Sequence, residues 1–469
     1  MSAFSLPIRC HDGLDEPASE DALLLLTRDS APGRRKIEAM RITILTVGSQ
    51  GDAEPYVALG AGLQAAGHHV AIATHERFAP LVGGRGLDFR PVRGDPRQLL
   101  EEEAGRRWLE TSSNPLRFVR GMLEAARPVI WQVADDLWQA CQDTDLILYQ
   151  VLTTFGATSI SEKTGIPAFP AFLQHVHPTR AFSSPMAMPQ PRFGRLYNRL
   201  TYPLGELIFW PVSRPLVNQW RAERLNLPPY RFGRPFHRFQ RPGQPWLYGF
   251  SPYVIPKPRE WGADVHVTGY WRLPPSNGWQ PPAALLDFLA AGPPPVYVGF
   301  GSMNNRHPAE ATEITLKALE LCGRRGILLT GWGGLSDSDL PETVFKLDYV
   351  PHDWLFPRMA AVVHHGGMGT TAAGLRAGIP SIVVPFFSDQ PFWAGRVTAL
   401  GVGPRPIPRQ KLTVEKLAAA ICQATTDTAM QARAADLGLR LRAEDGVATA
   451  VSLVNRYLDQ RSWVIGNYQ

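Results

Sequence analysis

The chain has 469 residues, too many for one hydrophobic core at about 150 residues per domain, and its 44% hydrophobic and 19% charged residues are typical of a globular protein. A chain of this size buries a substantial core without metal or disulfide staples. The net charge of +6 is spread over short basic clusters, with no basic stripe interleaved with aromatic residues, which argues against a nucleic-acid partner.

Cysteine usage and apolar runs bear on the compartment. None of the four cysteines forms a Cys-x-x-Cys pair or lies beside a histidine at metal-binding spacing, so we expect unpaired thiols in a reducing, cytoplasmic compartment. No apolar run approaches the roughly 18 residues of a transmembrane helix, although weak peripheral contact with a membrane is left open. Residues 1–39 are polar and unlike a secretory signal, so we expect a disordered extension, with Met40 as an alternative start.

The first ordered elements form a strand–loop–helix–strand unit. A β-rich run begins at Arg41, and apolar residues then recur at helical spacing from Tyr56 to Ala66. Later strands are predicted at 68–73, 146–149 and 167–170. Short loops between alternating strands and helices are typical of a parallel sheet.

Residues 171–250 differ from the preceding segments because they are dense in proline, arginine and aromatic residues. An amphipathic stretch runs from about Tyr197 to Leu225, with Phe209 and Trp220 on its apolar face. That face either packs on its own domain or forms a wall of an acceptor pocket close to a membrane, and the sequence leaves both open.

A second β/α half follows a proline-rich linker. Its strands are predicted at 296–300, 326–330, 344–347, 361–364 and 381–384, with helices between them. A last helix near 447–458 could cross back over the first half. We therefore predict an α/β protein with two Rossmann-like domains. The predicted division is an extension at 1–39, a first domain at 40–270, a linker at 271–284, a second domain at 285–445 and a C-terminal helical segment at 446–469.

The strongest local motif is a glycine-rich turn after the strand at 361–364. It leads into a helix and reads His364-His365-Gly366-Gly367-Met368-Gly369-Thr370-Thr371. Glycines let the backbone approach a ligand closely, and a helix start offers free N–H groups and a positive dipole end. Together with a donor from His365, this predicts a cradle for a diphosphate. The alternative is a turn whose glycines only tighten the packing.

Two further polar motifs follow strands of the same half. The segment Phe300-Gly301-Ser302-Met303 offers a hydroxyl and backbone amides that can reach the same phosphates. The pair Asp389-Gln390 combines a carboxylate with an amide, which suits sugar hydroxyls because these both donate and accept hydrogen bonds. Each motif alone could be a tight turn or a helix cap. Ligands gather at the carboxyl ends of parallel strands, however, which favours one common site.

The first half contributes one candidate for acid–base chemistry. Asp52 lies in the loop Gly48-Ser49-Gln50-Gly51-Asp52 that follows the first strand. It could simply cap the next helix, which is the more frequent role of such an aspartate. Facing a sugar site across a cleft, it would instead act as the general base for an acceptor hydroxyl.

These motifs resemble those of the UDP-glycosyltransferases, and most closely the sterol 3-β-glucosyltransferase subgroup with its bacterial relatives. The similar stretches are 48–56, 73–78, 178–182 and, for the donor-binding signature, 349–390. The 24 residues that separate His365 from Asp389 match the spacing of that signature. The resemblance covers nearly all of the chain after Met40.

The resemblance implies a GT-B fold, in which two Rossmann-like domains face each other across a cleft, and metal-free sugar transfer with inversion. Asp52 falls on the catalytic aspartate of the subgroup. The predicted donor site has three parts: the diphosphate site of Ser302, His365, Gly367, Gly369 and Thr370, the nucleobase site of Tyr349, Val350 and His352, and the sugar-binding pair of Asp389 and Gln390.

On the acceptor side, His175 and His177 lie just before the similar stretch 178–182. Either one could contact the acceptor or assist the base, and either could be a structural histidine.

We therefore expect a hexosyltransferase that moves glucose from UDP-glucose to a hydroxyl of a lipophilic acceptor such as a sterol, triterpenoid or polyphenol. The nucleotide sugar is a co-substrate, and we expect no metal and no other cofactor. The alternatives are a TDP-sugar transferase of the macrolide or glycopeptide type and a non-catalytic partner that binds nucleotide sugars.

Overall fold

The computed structural model describes most of the chain after the predicted N-terminal extension. The described residues are 38–94, 115–187, 193–231, 243–274, 279–300, 308–329 and 340–459. The sequence predicts disorder for residues 1–39. Only residues 38 and 39 of this segment belong to the described part of the chain, so the prediction for residues 1–37 lies outside it. From Ala39 onward the chain forms one compact unit.

The first half of the chain forms a parallel sheet. Its strands are β1 (Arg41–Leu45), β2 (His69–His75), β3 (Asp88–Val92), β4 (Leu146–Tyr149), β5 (Ala168–Phe172), β6 (Trp246–Tyr248) and β7 (Val265–Val267). All pairs are parallel, in the order β3-β2-β1-β4-β5-β6-β7. Strands β4 and β5 are apolar and buried along their whole length, as expected where helices cover both faces of a parallel sheet.

The helices of the first half include one of 31 residues. They are α1 (Gln50–Ala65), α2 (Ala79–Gly83), α3 (Pro115–Ala140), α4 (Thr154–Thr164) and α5 (Arg195–Leu225), with short 3-10 turns at Glu76–Phe78 and Val151–Thr153. Helix α5 covers the predicted amphipathic stretch and continues through three internal prolines. It packs on α3, where the Trp220 indole N–H donates to Asp135 at 2.9 Å. Within the described ranges no helix, α5 included, combines the length and apolarity that crossing a bilayer requires.

The second half forms a smaller parallel sheet of β8 (Val296–Gly299), β9 (Gly326–Leu329), β10 (Val344–Leu347), β11 (Ala361–His364) and β12 (Ser381–Val383), in the order β10-β9-β8-β11-β12. Its helices are α6 (Ala283–Ala290), α7 (Pro308–Leu321), α8 (His352–Leu355), α9 (Met368–Ala377), α10 (Gln390–Ala399), α11 (Val414–Thr426), α12 (Thr428–Ala443) and α13 (Gly446–Asp459), with 3-10 turns at Phe356–Arg358 and Arg409–Lys411. Two parallel sheets with helices confirm the predicted α/β class.

The two halves are joined through the last helix and a shared core. Helix α13 packs on α1, and the side chains of Asn455 and His68 form a hydrogen bond of 2.8 Å. Where the chain crosses between the halves, Gly446 lies so close to Gly269 that a Cβ on Gly446 would be 2.5 Å from the Gly269 carbonyl carbon. One buried apolar cluster contains side chains from both halves, including Trp393 of α10. The two sheets are therefore held close together.

The expectation of unpaired cysteine thiols is wrong for two of the four cysteines. The sulfurs of Cys322 and Cys422 lie within bonding distance, with 5.8 Å between the Cα atoms. This disulfide joins the end of α7 to α11, two helices that pack side by side. The sequence could not indicate the pair because the two cysteines are 100 residues apart and are brought together only by this packing. Cys141 is a buried free thiol.

Candidate active site

The strand order of each sheet identifies the edge where a ligand is expected. The order reverses between β1 and β4 in the first sheet and between β8 and β11 in the second. Ligands of open α/β sheets bind beyond the carboxyl ends of the strands at such a reversal. The two edges face each other, because a Cβ on Gly369, which follows β11, would lie 4.0 Å from the Cα of Gly51, which follows β1. The polar motifs of both halves therefore meet.

One cavity of about 1600 Å³ lies between these edges and is lined by both halves. Its polar side includes Asp52, His365 and Asp389. Its other side is apolar and is formed largely by α3, α4 and α5 through Val133, Leu137, Phe155, Ile208, Phe209 and Leu216. Within the described ranges, no three His, Cys, Asp or Glu residues are grouped as a metal site.

Asp52 combines a helix cap with a position in the cavity. The Ser49 backbone N–H donates to Asp52 Oδ2 at 2.8 Å as part of a capping box at the start of α1. The Ser49 hydroxyl also donates to Asp52 Oδ2, at 2.9 Å. The helix-cap alternative from the sequence is therefore observed. It uses one carboxylate oxygen, and among the described residues the other oxygen accepts no hydrogen bond.

The surroundings of Asp52 favour its protonated form. Burial raises the pKa of the carboxyl, and the neighbouring Asp389 charge adds to this rise. The Ser49 hydrogen bonds and the Arg77 charge act in the opposite direction. A carboxylate that is partly desolvated in this way is a stronger base than a fully hydrated one.

His365 lies directly after β11, in a backbone turn that depends on glycine. Gly366 has φ +92°, a left-handed conformation that side chains disfavour, and a Cβ on Gly367 would collide with the His365 ring. Burial lowers the pKa of His365 to about 4, so the ring is neutral at pH 7. Its Nδ1 is buried and has no hydrogen-bond partner within the described part of the chain.

The predicted phosphate cradle is a helix start that faces the cavity. Gly367 is the N-cap of α9, and Gly369 and Thr370 occupy the first turn and line the cavity. The first N–H groups of a helix have no partner inside the helix, so they are available to an anion. Ser302, the remaining predicted phosphate ligand, lies outside the described residues.

The pair Asp389-Gln390 divides its roles. The Asp389 carboxylate accepts hydrogen bonds from the Trp393 indole, at 2.9 Å, and from the side chain of Gln174, which belongs to the first half. The side-chain oxygen Oε1 of Gln390 accepts a hydrogen bond from the backbone N–H of Phe386 at 2.7 Å and so holds the turn before α10. Burial raises the pKa of Asp389.

The predicted nucleobase residues lie together at another part of the cavity wall. Tyr349, Val350 and His352 all line the cavity, and Tyr349 is 60% exposed, so its ring is accessible for stacking. The His352 ring stacks on Phe356 with 4.4 Å between centroids, and burial lowers its pKa to about 4.

The two acceptor-side histidines occupy aromatic clusters. His175 is fully buried, lines the cavity and shares a 3.1 Å hydrogen bond with the Tyr202 hydroxyl. Its burial holds its pKa well below the usual histidine range. His177 lies against Trp246, and its Nδ1 shares a 2.5 Å hydrogen bond with the Tyr248 hydroxyl. This arrangement is the structural alternative that the sequence left open for His177.

Sequence reasoning missed three residues near Asp52 and Asp389. The Gln174 side chain forms a hydrogen bond with Asp389, whereas His75 and Arg77 contact the loop that carries Asp52. The segment 73–78 resembles a subgroup motif, but its sequence pattern alone indicates no role for His75 or Arg77. For Gln174, the only signal in the sequence is its position directly before the candidate residue His175.

Two sequence families match the chain over these same regions. Residues 42–183 match the glycosyltransferase family 28 N-terminal domain, and residues 333–449 match the C-terminal domain of erythromycin biosynthesis protein CIII-like proteins. Together the two matches span more than half of the chain. Two facing parallel sheets with a ligand edge between them define the GT-B class. By its fold the chain is similar to the GT-B glycosyltransferases, and residues 42–183 match a glycosyltransferase family 28 N-terminal domain.

Sterol 3-beta-glucosyltransferases are similar over almost the whole chain. The one from Emericella nidulans is 38% identical over 459 residues, which is 95% of this chain and 32% of the relative. The one from Cryptococcus neoformans var. neoformans is 36% identical over 473 residues, with 96% and 29% covered. The chain thus spans about a third of the length of these curated relatives.

Solved structures with the same fold are more distant in sequence. The glycotransferase of kitacinnamycin has a TM-score of 0.62 at 21% identity and covers 90% of this chain and 100% of its own. The calicheamicin glycosyltransferase has a TM-score of 0.61 at 18% identity, with 91% and 100% covered. At these identities the likeness concerns the fold alone.

Proposed function

We propose that the protein transfers glucose from UDP-glucose to the 3-hydroxyl of a sterol or a similar lipophilic alcohol, with inversion at the anomeric carbon. The observation that carries this proposal is the single cavity that joins a candidate base, a helix-start anion site and a long apolar wall. Its relatives over 90% or more of the chain are sterol 3-beta-glucosyltransferases, which favours a sterol over the macrolide-type alternative.

The acceptor side of the proposed reaction uses Asp52. The sterol body lies against the apolar wall of α3 and α5, and its hydroxyl reaches the Asp52 oxygen that the capping box leaves available. The hydroxyl proton passes to this carboxylate while the oxygen attacks the anomeric carbon. Ser49 holds the base in place through two hydrogen bonds.

The donor side of the proposed reaction uses the start of α9. As the bond between the anomeric carbon and the phosphate oxygen breaks, UDP leaves with the electron pair. The N–H groups at Gly369 and Thr370 and the neutral ring of His365 stabilise the charge that develops on the diphosphate. Asp389 accepts hydrogen bonds from the sugar hydroxyls. No metal is required in this scheme, and its absence from the reaction stays a prediction.

We expect His365→Ala to raise the Kd for UDP at least about 10-fold, because a hydrogen bond to a charged group contributes about 1.5–3 kcal/mol. Titration calorimetry with UDP measures the change. His69→Ala, which removes an exposed histidine from β2, serves as the control and should bind UDP like the wild type. Equal affinities in all three proteins would remove His365 from the donor site.

The function itself is tested by incubating the purified protein with UDP-glucose or TDP-glucose and a sterol, a flavonoid or a macrolide, with products identified by mass. We expect glucosylated sterol from UDP-glucose. Preferential use of TDP-glucose with the macrolide would contradict the proposal. UDP binding without transfer to any acceptor would instead favour the non-catalytic alternative.

We further propose that the protein contacts anionic membranes through α5. Four leucines at helical spacing on this helix are each more than half exposed, as is Phe193 just before the helix. The four are Leu196, Leu200, Leu204 and Leu207. Arg195 and Arg199 are exposed on the same helix, and such basic residues favour anionic lipid headgroups. Leu204 also lines the cavity, so this surface continues into the proposed acceptor site.

The membrane proposal is tested by vesicle flotation with and without phosphatidylserine. In the double variant Leu196→Glu and Leu200→Glu we expect binding to vesicles to fall at least about 10-fold. Each leucine that becomes buried in the membrane contributes about 1.5–3 kcal/mol to the free energy of binding. Leu439→Glu, at an exposed leucine of α12, is the matched control and should bind like the wild type. Equal binding of all three proteins would contradict the proposal.

A further inference from the structure

The segment Ala73–Phe78, similar to a subgroup motif, has no part in the mechanism above. It begins in β2, which pairs with β1, and ends in the 3-10 turn Glu76–Phe78. Its residues therefore lie beside the loop that follows β1 and carries Asp52. The contacts of His75 and Arg77 with that loop are specific.

His75 and Arg77 hold both backbone polar groups of Gly48. The Gly48 N–H donates to His75 Nε2 at 3.1 Å, and the Arg77 guanidinium donates to the Gly48 carbonyl at 2.9 Å. His75 Nδ1 lies 3.1 Å from the Val92 carbonyl, which can only accept. Nδ1 therefore carries the ring proton and leaves Nε2 as an acceptor, so β3 fixes the tautomer that Gly48 requires.

Gly48 in turn forms the surface against which the base rests. Its φ is +130°, and a Cβ on it would lie 2.5 Å from Asp52 Oδ2. The carboxylate thus packs directly on the Gly48 backbone, on the side where Ser49 also binds Oδ2. A shift of Gly48 would shift the carboxylate with it.

Arg77 also acts on Asp52 through its charge. The titratable groups that face Asp52 are Asp389 from the second half, Arg77 from the turn after β2 and Tyr56 from α1. The Asp389 charge raises the pKa of Asp52, and the Arg77 charge lowers it. The Arg77 charge therefore favours the ionised form of the Asp52 carboxyl.

We propose that His75 and Arg77 are positioning residues for the catalytic base: they hold both backbone polar groups of Gly48 and, through Gly48, orient the Asp52 carboxylate towards the acceptor hydroxyl. The proposal rests on the proposed function, because it takes Asp52 as the base. It assigns to the segment Ala73–Phe78 a role at the reacting centre without contact with the reacting atoms.

The test compares Arg77→Met and Arg77→Lys with the control Arg85→Met. Arg85 is a suitable control because it also lines the cavity but donates to the Pro274 carbonyl and not to Gly48. For Arg77→Met we expect kcat to fall about 10- to 100-fold, because misplacing a catalytic group by about 1 Å has an effect of this size. The Kd for UDP should stay within about 2-fold of the wild-type value. The acid limb of the kcat/KM profile should move to higher pH, because Asp52 loses a stabilising cation. Arg77→Lys keeps the charge and should restore the limb but only part of kcat. Arg85→Met should resemble the wild type.

A second readout does not depend on activity. With carboxyl-labelled aspartate, NMR follows the pKa of Asp52 directly, and Asp52→Asn identifies its signal. A higher pKa in Arg77→Met supports the proposal even if the chain transfers no glucose, in which case only the proposed function fails. An unchanged pKa, or a loss of kcat that Arg85→Met shares, would overturn it. If Arg77→Met does not fold, the same measurements are made on Arg77→Lys. An unaltered kcat in Arg77→Lys would exclude a positioning role for the Arg77 guanidinium and so overturn the proposal.

Discussion

Replacing Asp52 with asparagine should lower kcat at least about 10²-fold, because general-base catalysis typically contributes 10²- to 10⁴-fold. The asparagine oxygen can still accept the two Ser49 hydrogen bonds, so the start of α1 should persist. The amide cannot take the acceptor proton. Steady-state rates with UDP-glucose and a sterol measure the effect, and titration with UDP should give an unchanged Kd.

The matched control for this substitution is Asp88→Asn, which makes the same change at an exposed aspartate of β3 outside the cavity. It should retain most of the activity. If Asp52 is the base, its raised pKa should move the acid limb of the wild-type kcat/KM profile to a higher pH than an ordinary aspartate would give, since the base must be ionised to act. Near-normal turnover of Asp52→Asn at all pH values would show that another group, or none, takes the proton.

Filling the acceptor cavity at Gly205 should abolish most sterol transfer without unfolding the protein. Gly205 lies in α5 and lines the cavity, and a Cβ built on it meets no atom within 4 Å. An indole there would occupy space that a rigid acceptor needs. For Gly205→Trp we expect kcat/KM for the sterol to fall at least about 10²-fold, because even one methylene in an apolar pocket changes selectivity 10- to 200-fold.

Gly205→Ala is the control for this prediction. It adds only one methyl group to the open space, so its activity should equal that of the wild type. Alanine also stabilises the helix by about 1 kcal/mol relative to glycine, so the variant should fold. UDP affinity should be unchanged in both variants, since the predicted nucleotide site is formed by residues of the second half and not by α5. Unaltered sterol transfer by Gly205→Trp would mean that the acceptor does not bind along α5.

The polar half of the candidate site could be read from the sequence because each part lies in one short segment. Asp52 and the turn at His365 follow single strands, and the carboxyl ends of parallel strands meet at one edge. The two-sheet α/β fold was predictable for the same reason, since strands and helices alternate with clear periodicity. The site roles of these residues remain predictions until the variants are measured.

The rest of the site depends on contacts between distant segments. No pattern in the sequence links Gln174 to Asp389 or Arg77 to Gly48, because these contacts form only after the sheets have assembled. Helix α5 was ambiguous for another reason. Its three prolines each remove a backbone donor, which argues locally against a helix, and tertiary packing on α3 overrides this preference.

The elevated pKa of Asp52 has a consequence for folding. A carboxyl whose pKa is higher in the folded protein than in the unfolded chain binds its proton more tightly when folded. Its contribution to the free energy of unfolding is therefore fully present at low pH and is lost as the pH rises through the folded-state pKa. Above that pKa the ionised Asp52 opposes folding, even though the same carboxylate caps α1. The burial that would make Asp52 a stronger base in the proposed reaction therefore lowers the stability of the folded protein above that pKa.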